Sequence, residues 1–298
     1  MFFKPLFKSE SIEDKYNLIV FDTSWVAYAA LLAKAYNWMS FDNKPSGHIY
    51  GAMSKILAMF SAYGGDLNST ELIFALDEYP EDTYALYPEY KGYRVKNFDP
   101  VPDIKELIQL FNNYTANANK TEADHVIASI AKKYHSTHKV TVVSADRDLW
   151  QILDLNNITI TSRTKDSLNV EAMEQKFGIC KPKCLALAKA IFGDPSDNIP
   201  KLPGRLSHKI INRYIDESDG SPENFYEILK EAEMASSLKE ILIDGKSQVE
   251  LMFKITKIKL DVDFELTKNV VASKDELLKY LHGFGINKFD TRINCLFY

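Results

Sequence analysis

The sequence predicts an α/β fold, with a mainly parallel central sheet flanked by helices, followed by a smaller helical part. Short apolar runs alternate with segments of helical periodicity along the first part of the chain, which is typical of βαβ units. After about residue 180 the apolar runs become rare and helical patterns dominate. The 298 residues are enough for one large domain or two modest ones. We therefore expect an α/β domain over residues 1–180 and a helical region over residues 181–298.

Four apolar runs are predicted to form the sheet. They are nearly continuous and rich in β-branched residues, as expected of strands covered on both faces. In chain order the predicted strands are Tyr16–Phe21, Glu71–Leu76, Lys139–Ala145 and Asn157–Thr161. Ser24 stands where the N-cap of a following helix, Trp25–Tyr36, is expected.

Helical periodicity accounts for most of the remaining chain. In the first part and at its end, the predicted helices are Gly51–Tyr63, Asp103–Tyr114, Glu122–Tyr134 and Pro182–Phe192. In the second part they are Leu206–Asp216, Pro222–Ala232, Ser247–Leu260 and Lys274–His282.

Composition excludes several classes of protein. Apolar residues make up 46% and charged residues 26%, which is ordinary for a globular chain. The longest apolar run, Trp25–Ala33, is far shorter than the ~20 residues that span a bilayer. Three cysteines, Cys180, Cys184 and Cys295, do not make a disulfide framework in a chain of this length. We expect a soluble protein of the cytoplasm.

Acidic residues follow three of the predicted strands directly. Asp22 follows the first strand, Asp77 the second, and Asp146 and Asp148 follow the third. The carboxyl ends of parallel strands share one edge of a sheet, so these side chains are expected to converge. One such aspartate is most simply a turn or cap residue. Several crowded together repel each other and favour a bound cation.

Two further pairs of acids extend this set. Glu122 and Asp124 open a helix, where helix capping explains them equally well. Asp194 and Asp197 lie in a turn-rich loop whose turn chemistry alone could account for them. Oxygen ligands without histidine or cysteine favour Mg²⁺ or Mn²⁺. Two such ions about 4 Å apart clamp the attacking and leaving oxygens of a phosphodiester.

Basic residues cluster despite the formal net charge of −5. Without the eight acids named above, the formal charge becomes +3. The basic clusters comprise Lys91, Arg94 and Lys96 in one loop, and Lys201, Arg205, Lys209 and Arg213 in an acid-free stretch. The last three recur every four residues, which predicts one helix face. That face is either solvated or in contact with phosphates; its position after the acidic loop favours phosphates.

These motifs resemble the metal-dependent 5′-nucleases: bacteriophage 5′–3′ exonucleases, flap endonucleases, phage enzymes called RNase H, and the 5′-nuclease domain of DNA polymerase I. Gly193–Pro200 with Pro203-Gly204 is similar to the segment GDxSDNxPGxxGIG, which enters a helix–three-turn–helix element. Pro88–Arg94 is similar to P-x-Y-K-x-x-R. Glu122–Asp124 and Ser144–Asp148 look like the metal motifs E-A-D and S-x-D-x-D. The resemblance extends from Asp22 to about Leu260.

The resemblance implies a PIN-like 5′-nuclease fold and a role for each matching residue. Asp22, Asp77, Glu122 and Asp124 would hold a first metal, and Asp146, Asp148, Asp194 and Asp197 would hold or shape the site of a second. Lys91 and Arg94 would contact the scissile phosphate, and Tyr90 would stack on a terminal base. Lys96, Lys201, Gly204, Arg205, Lys209 and Arg213 would bind nucleic acid.

The same resemblance implies cofactors and partners. Two Mg²⁺ ions, replaceable by Mn²⁺, would serve the reaction, and K⁺ would bind the helix–three-turn–helix element. The expected substrate is a 5′ flap, a nicked duplex or branched DNA, with an RNA–DNA hybrid as a further candidate. A replication clamp or single-strand-binding protein is a candidate partner of an expected monomer.

Three features depart from the family pattern. His125 stands where the phage motif E-A-D-D has its last acid. Only 27 residues separate Arg94 from Glu122, and Pro100 and Pro102 interrupt them, so one helix fits there and a two-helix arch does not. The stretch 202–207 lacks the second glycine before its helix.

Two alternatives to a 5′-nuclease stay open at this point. The first is a catalytically degenerate family member that binds branched DNA without cutting it. The second is a phosphatase-like enzyme with Asp22 as nucleophile, although such enzymes commonly place a second Asp where Ser24 stands here.

Overall fold

A computed structural model describes residues 16–93, 98–269 and 273–297. Its strands are short and mostly apolar. In chain order they are β1 (Asn17–Asp22), β2 (Ser40–Phe41), β3 (Lys44–Pro45), β4 (Thr70–Ala75), β5 (Asn113–Asn117), β6 (Lys139–Val143), β7 (Ile158–Arg163), β8 (Asp166–Leu168) and β9 (Glu265–Asn269).

Helices fill most of the chain between and after these strands. In the first half they are α1 (Thr23–Leu31), α2 (Gly47–Met59), α3 (Glu81–Leu86), α4 (Val101–Ile108), α5 (Ala123–Tyr134) and α6 (Val170–Phe177). In the second half they are α7 (Leu185–Phe192), α8 (His208–Glu217), α9 (Pro222–Glu231), α10 (Ser236–Asp244), α11 (Lys246–Thr256) and α12 (Asp275–Gly283). In the part of the chain that the structure describes, no helix has the length and apolar character required to cross a bilayer.

The central sheet has seven described strands in the order β8-β7-β6-β1-β4-β5-β9. The five inner strands are parallel, and β8 and β9 pair antiparallel at the two edges. The predicted α/β class, with a mainly parallel sheet flanked by helices, is confirmed. Because the inner strands are parallel, their carboxyl ends lie along one edge, where a ligand site is expected.

Alternate residues of β1 face two different cores, as the pleat of a strand requires. Ile19 and Phe21 pack on the α2 side, whereas Leu18 and Val20 pack on the α5 side. The neighbouring β4 is buried on both faces in the same way, and Phe74 stacks on Phe21 with ring centroids 4.7 Å apart. The mostly apolar sequences of β1 and β4 match this burial on both faces.

The four predicted strands exist with shifts of one or two residues, but the cap predicted for the first helix is wrong. Helix α1 begins at Thr23, and its N-cap is Asp22, whose carboxylate accepts a hydrogen bond from the Trp25 amide at 2.9 Å. Ser24 lies inside the helix and donates instead to Asp77 at 2.5 Å. The first strand thus passes directly into the helix through its terminal aspartate.

The helix predicted over Asp103–Tyr114 is also partly wrong. Helix α4 ends at Ile108, and the chain then forms β5, which pairs with β4 and β9. The side chain of Asn113 donates to the carbonyl oxygens of Ile108, the last residue of α4, and of Phe111 in the loop that follows. This side chain-to-backbone contact ends the helix and starts the strand.

The C-terminal part of the chain contributes to both halves of the molecule. Helices α7 to α11 form a second hydrophobic core with α6. Strand β9 then completes the sheet, and α12 returns to the core beneath α2, where Leu281 and Phe289 are buried. We keep the division near residue 180 as a proposal, with the addition that residues 265–269 and 273–296 pack on the α/β part.

Because Leu281 of α12 is buried in the same core as residues of α2, we predict that it stabilises the α/β part. Leu281→Ala should lower the free energy of unfolding by about 2–5 kcal/mol, because it leaves a cavity among residues of α2 and α12. Urea denaturation followed by circular dichroism measures the change. Ile243→Ala on α10, where the side chain is 51% exposed, is the control and should change stability by less than about 0.5 kcal/mol. Equal effects of the two variants would contradict the packing.

Candidate active site

A cleft of about 910 Å³ lies at the carboxyl ends of the parallel strands. Five of the predicted metal residues line it, namely Asp22, Asp77, Glu122, Asp124 and Asp146. Lys91 lines it as well, together with the aromatic residues Trp25, Tyr28, Tyr79, Tyr84 and Tyr93. The parallel topology thus brings together acids that are up to 124 positions apart in the sequence.

Hydrogen bonds orient two of these carboxylates. Asp22 accepts from the Trp25 amide at 2.9 Å and from the Ser144 hydroxyl at 2.8 Å. Asp77 accepts from the Ser24 hydroxyl and from the Ala123 amide at 2.8 Å. Each carboxylate is therefore held by two donors on different elements and keeps lone pairs for a ligand in the cleft.

The acids of the cleft are held close to one another at an electrostatic cost. Burial raises the pKa of Asp22 to about 7, and the charges of Asp77 and Asp146 add to the shift against the opposing hydrogen bonds. Burial also raises the pKa of Asp124 well above its usual value, again with contributions from Asp146 and Asp22. No described residue donates a hydrogen bond to Asp124. The nearby charge of Lys91 lowers the pKa of Asp124 but does not outweigh burial and the neighbouring carboxylates.

Lys91 supplies positive charge on one side of the cleft. Its ammonium lies 2.5 Å from one oxygen of Glu122, and the Tyr90 hydroxyl donates to the other oxygen at 3.0 Å. Burial acts to lower the pKa of Lys91, but the Glu122 charge outweighs it and holds the pKa above its usual value. Lys91 therefore stays protonated at neutral pH.

The loop that carries Lys91 is joined to the loop that follows α7. The Lys91 amide donates to the Asp197 carbonyl at 3.1 Å, and the Asn198 side chain donates to the Glu89 carbonyl at 2.8 Å. The Tyr87 hydroxyl donates to the Asn198 carbonyl at 2.9 Å. Lys91 and Asn198 both have left-handed backbones, with φ of 52° and 61°, which such surrounding contacts can maintain.

A second group of acids surrounds Lys189, which the sequence analysis did not single out. This buried lysine on α7 pairs with Asp148 and, at 2.8 Å, with Asp194. Burial raises the pKa of Asp148 to about 7 despite that lysine. Burial would also raise the pKa of Asp194, but Lys189 and the Ser196 donors hold it below its usual value. A single lysine in the otherwise apolar helix α7 was the available signal.

The remaining acid of the predicted set lies between these two groups. Asp197 is buried, and its charge raises the pKa values of Lys91 and Asp148. Asp148, Asp194 and Asp197 are not among the residues that line the cleft. The structure therefore places five of the eight predicted acids in the cleft and two beside Lys189, with Asp197 acting on both Lys91 and Asp148.

The donor chemistry of the cleft fits a hard divalent cation. Its ligands are carboxylate oxygens, and Asp22 and Asp124 have raised pKa values that a cation would lower. Within residues 16–93, 98–269 and 273–297, no three His, Cys, Asp or Glu side chains already stand in the arrangement of a metal site. Lys91 and Lys189 are each paired with carboxylates of the predicted set.

His125 does not contribute a charge to the cleft. Its Nδ1 accepts a hydrogen bond from the Lys259 amide at 3.3 Å. Burial lowers the pKa of His125 to about 4, so the ring is neutral at physiological pH. The position that holds an acid in the phage motif is here occupied by a neutral ring that contacts the backbone after α11.

The structure corrects two of the predicted nucleic-acid contacts and leaves two others outside its range. Tyr90 is only 5% exposed and its ring is packed against Tyr84, so it presents no open face to a base. Arg205 precedes α8, which begins at His208, so the predicted helix face retains Lys209 and Arg213 alone. Arg94 and Lys96 lie outside the described residues.

The loop before α8 exposes Lys201 and Arg205 to solvent. Gly204 in that loop has a φ of +88°, and a Cβ there would lie 2.8 Å from the Ile241 side chain. A glycine is therefore required for the loop to pack against α10. Within α8, the Arg213 guanidinium lies over the Tyr214 ring at 4.5 Å and pairs with Glu217.

The parallel sheet places carboxylates and a protonated lysine in one cleft, and helices with exposed basic residues follow it, which is the arrangement that the resemblance to the 5′-nucleases implies. The family model described as "5'-3' exonuclease, N-terminal resolvase-like domain" matches residues 17–178, more than half of the chain. The chain therefore belongs to the 5′–3′ exonuclease family.

Individual relatives agree with this assignment. The chain is 27% identical to a 5′-3′ exonuclease of Mycoplasmopsis pulmonis over 299 residues, covering 96% of this chain and 94% of that protein. It is 27% identical to DNA polymerase I of Lactococcus lactis subsp. cremoris over 302 residues. That match covers 95% of this chain but 33% of the polymerase, so the chain spans about a third of that relative.

A solved structure shows the same fold. It is the bacteriophage T5 D15 flap endonuclease in a complex with DNA and metal ions, with a TM-score of 0.61 and 16% sequence identity. The likeness covers 93% of this chain and 96% of that chain. The predicted membership in the 5′-nuclease family is confirmed.

The raised pKa of Asp22 predicts a pH-dependent stability in EDTA. The native state keeps the Asp22 proton up to about pH 7, whereas an unperturbed aspartate releases it near 3.8. The stability that this proton contributes is complete below the unfolded pKa and is lost as pH rises through the folded pKa. Asp22→Asn should therefore equal wild type near pH 4 and exceed it by about 1–4 kcal/mol at pH 8.

Urea unfolding at pH values from 4 to 8 measures this difference. Asn keeps the shape of the side chain and an oxygen for the Trp25 amide, so the cap of α1 is preserved. Asp154→Asn, at an exposed aspartate outside the cleft, is the control and should follow wild type throughout. A constant offset of Asp22→Asn at every pH would show that the Asp22 proton does not govern stability.

Proposed function

We propose that this chain is a divalent-metal-dependent nuclease that hydrolyses phosphodiesters near the 5′ ends of duplex or branched DNA. The observation that supports it most strongly is the convergence of five carboxylates and Lys91 in one cleft at the edge of the sheet. The family membership supplies the reaction class. The DNA in the T5 complex supports the substrate class.

Two groups of residues would hold the metal ions, for which we propose Mg²⁺, with Mn²⁺ able to substitute. The first group is Asp22, Asp77, Glu122 and Asp124; the second is Asp146, Asp148 and Asp194, shaped by Asp197. When bound, such ions activate water and stabilise the leaving oxygen. Asp124 is well suited to a metal, since no described residue offers it a hydrogen bond. Lys189 holds Asp148 and Asp194 together in the second group.

The positive residues of the chain would bind the substrate. Lys91, which stays protonated, would offset charge on the phosphoryl oxygens, and Glu122 and the Tyr90 hydroxyl orient it. Arg94 would act beside it on the same phosphate. The exposed Lys201, Arg205, Lys209 and Arg213, with Lys96, would contact the backbone of the duplex. We also propose K⁺ in the helix–three-turn–helix element, with backbone carbonyls as ligands.

The segment between Arg94 and Glu122 is too short for a two-helix arch, and this favours short 5′ ends over long threaded flaps as substrates. Among residues 98–121, helix α4 is the one helix that the structure describes. RNA in an RNA–DNA hybrid is a second substrate that we propose to test, since the chemistry of its phosphodiester is the same. A clamp or a single-strand-binding protein is a proposed partner of a monomeric enzyme.

Neither alternative from the sequence is favoured. A degenerate binding protein would not need the acid set, yet five of the acids converge in the cleft with raised pKa values among them. A phosphatase-like enzyme would need a free Asp22 carboxylate and an acid at Ser24. Asp22 is instead hydrogen-bonded as the cap of α1, and Ser24 donates to Asp77.

Removing one carboxylate should abolish cleavage but not DNA binding. The test incubates 5′-labelled flap, nicked and RNA-primed duplexes with Mg²⁺ or with EDTA and sizes the products. Asp146→Asn removes a ligand charge while keeping the shape, so cutting should fall at least about 100-fold with binding retained. Asp154→Asn should cut like wild type. Folded wild-type protein that cuts none of the substrates with Mg²⁺ or Mn²⁺ would refute the proposed activity.

Removing the ammonium of Lys91 should slow chemistry more than binding. In single-turnover assays Lys91→Ala should lower the cleavage rate by about 100-fold or more, while the dissociation constant rises much less, because the charge stabilises the transition state. Lys91→Met keeps the chain length and should show the same loss. Lys132→Ala, an exposed lysine on α5, is the control. Equal losses in rate and affinity would contradict the proposed role.

A further inference from the structure

Two tyrosine rings stack on each other in the wall of the cleft. Tyr79 follows Asp77 by two residues, and Tyr84 lies in α3. Their ring centroids are 4.9 Å apart and the ring planes differ by 4°. Both residues line the same cleft as Lys91 and the carboxylates. The pair therefore forms part of the wall of the cleft to which the proposed function assigns the substrate.

The inner ring of this pair is held firmly by its surroundings. Tyr84 is half-buried against the hydrophobic core of the helical part, and its ring meets Tyr90 edge to face at 5.8 Å. Tyr90 in turn is buried and donates its hydroxyl to Glu122. A continuous series of contacts thus connects the stacked pair to one of the proposed metal ligands.

The outer ring remains open to solvent. Tyr79 is 64% exposed although it is a large aromatic residue. Tyr84 covers one of its faces, and no other ring or cation of the described residues stacks on Tyr79. An aromatic face that is fixed from behind and open in front is suited to receive another flat ring.

We propose that Tyr79, supported by Tyr84, binds an unpaired nucleobase of the DNA strand whose backbone enters the cleft. This inference rests on the proposed function. Every base offers a π face, so stacking on tyrosine tolerates any sequence. Bases inside a duplex are already stacked on their neighbours, so the ligand is a base in a flap or at a frayed 5′ end. Tyr90, which is 5% exposed, offers no open ring face for this contact, whereas Tyr79 does.

Binding of a fluorescent base tests this site without any cleavage. The probe is a nicked duplex whose single unpaired 5′-terminal nucleotide is 2-aminopurine, titrated with protein in EDTA. Stacking on Tyr79 should quench the fluorescence for wild type and for Tyr79→Phe, which keeps the ring. Tyr79→Ala should lose the quenching and bind about 5- to 100-fold more weakly. Tyr16→Ala is the control, because Tyr16 is similarly exposed at the opposite end of the sheet.

A substrate that lacks the 5′-terminal base distinguishes a loss of stacking from a general loss of affinity for DNA. The same duplex is made with an abasic 5′-terminal nucleotide, and the affinities of wild type and Tyr79→Ala are compared on both duplexes. If the ring binds the base, the two changes are not additive and Tyr79→Ala costs little on the abasic duplex. Equal weakening on both duplexes, or unchanged quenching by Tyr79→Ala, would overturn the inference.

This outcome is distinguishable from failure of the proposed nuclease activity. Wild type that quenches 2-aminopurine through Tyr79 but cuts no substrate with Mg²⁺ would keep the base site and refute the hydrolysis. Wild type that cuts normally while Tyr79→Ala quenches like wild type would keep the hydrolysis and refute the base site. Circular dichroism of Tyr79→Ala and Tyr79→Phe verifies that both variants fold.

Discussion

Repulsion among carboxylates at one edge of the sheet is the constraint on which the rest of this structure depends. Burial raises the pKa of Asp22 and Asp148 to about 7, so neither ionises freely at neutral pH in the protein alone. The fold places positive charge beside the acids through Lys91 and Lys189. Each lysine pairs with its own carboxylates, and the pKa values of Asp22 and Asp124 stay raised in spite of this positive charge. An arrangement of this kind is unfavourable for stability alone, and it is favourable for binding cations and the phosphates that accompany them.

Local sequence predicted the elements that are buried on both faces and missed those defined by distant partners. Strands β1, β4, β6 and β7 were predicted because a strand between two helical layers must be apolar throughout. Strand β9, with the sequence ELTKN, has no such pattern and forms because it pairs with β5, more than 140 residues earlier. The end of α4 likewise depends on the Asn113 side chain, which competes with the helix for backbone carbonyls.

Some features of the candidate site could likewise be predicted from the sequence, and others could not. The positions of Asp22, Asp77 and Asp146 at one edge followed from parallel topology, which the pattern of strands and helices indicated. Lys189 could not be predicted, because its role arises only when α7 packs beside Asp148 from another segment. The family resemblance implied that Tyr90 contacts the substrate, but the exposure of each tyrosine could not be predicted. Tyr90 is buried and its hydroxyl donates to Glu122, whereas Tyr79 is exposed and stacks on Tyr84.

The loop after α7 connects the two sources of positive charge. Helix α7 carries Lys189, and the loop that follows it receives the Lys91 amide at the Asp197 carbonyl. Asn198 adds two further contacts to the Lys91 loop, through Glu89 and Tyr87. These contacts fix the Lys91 loop relative to α7, and so they also fix Lys91 relative to the carboxylates at the strand ends. The helical part thus takes part in the proposed catalysis through hydrogen bonds, in addition to its contacts with DNA.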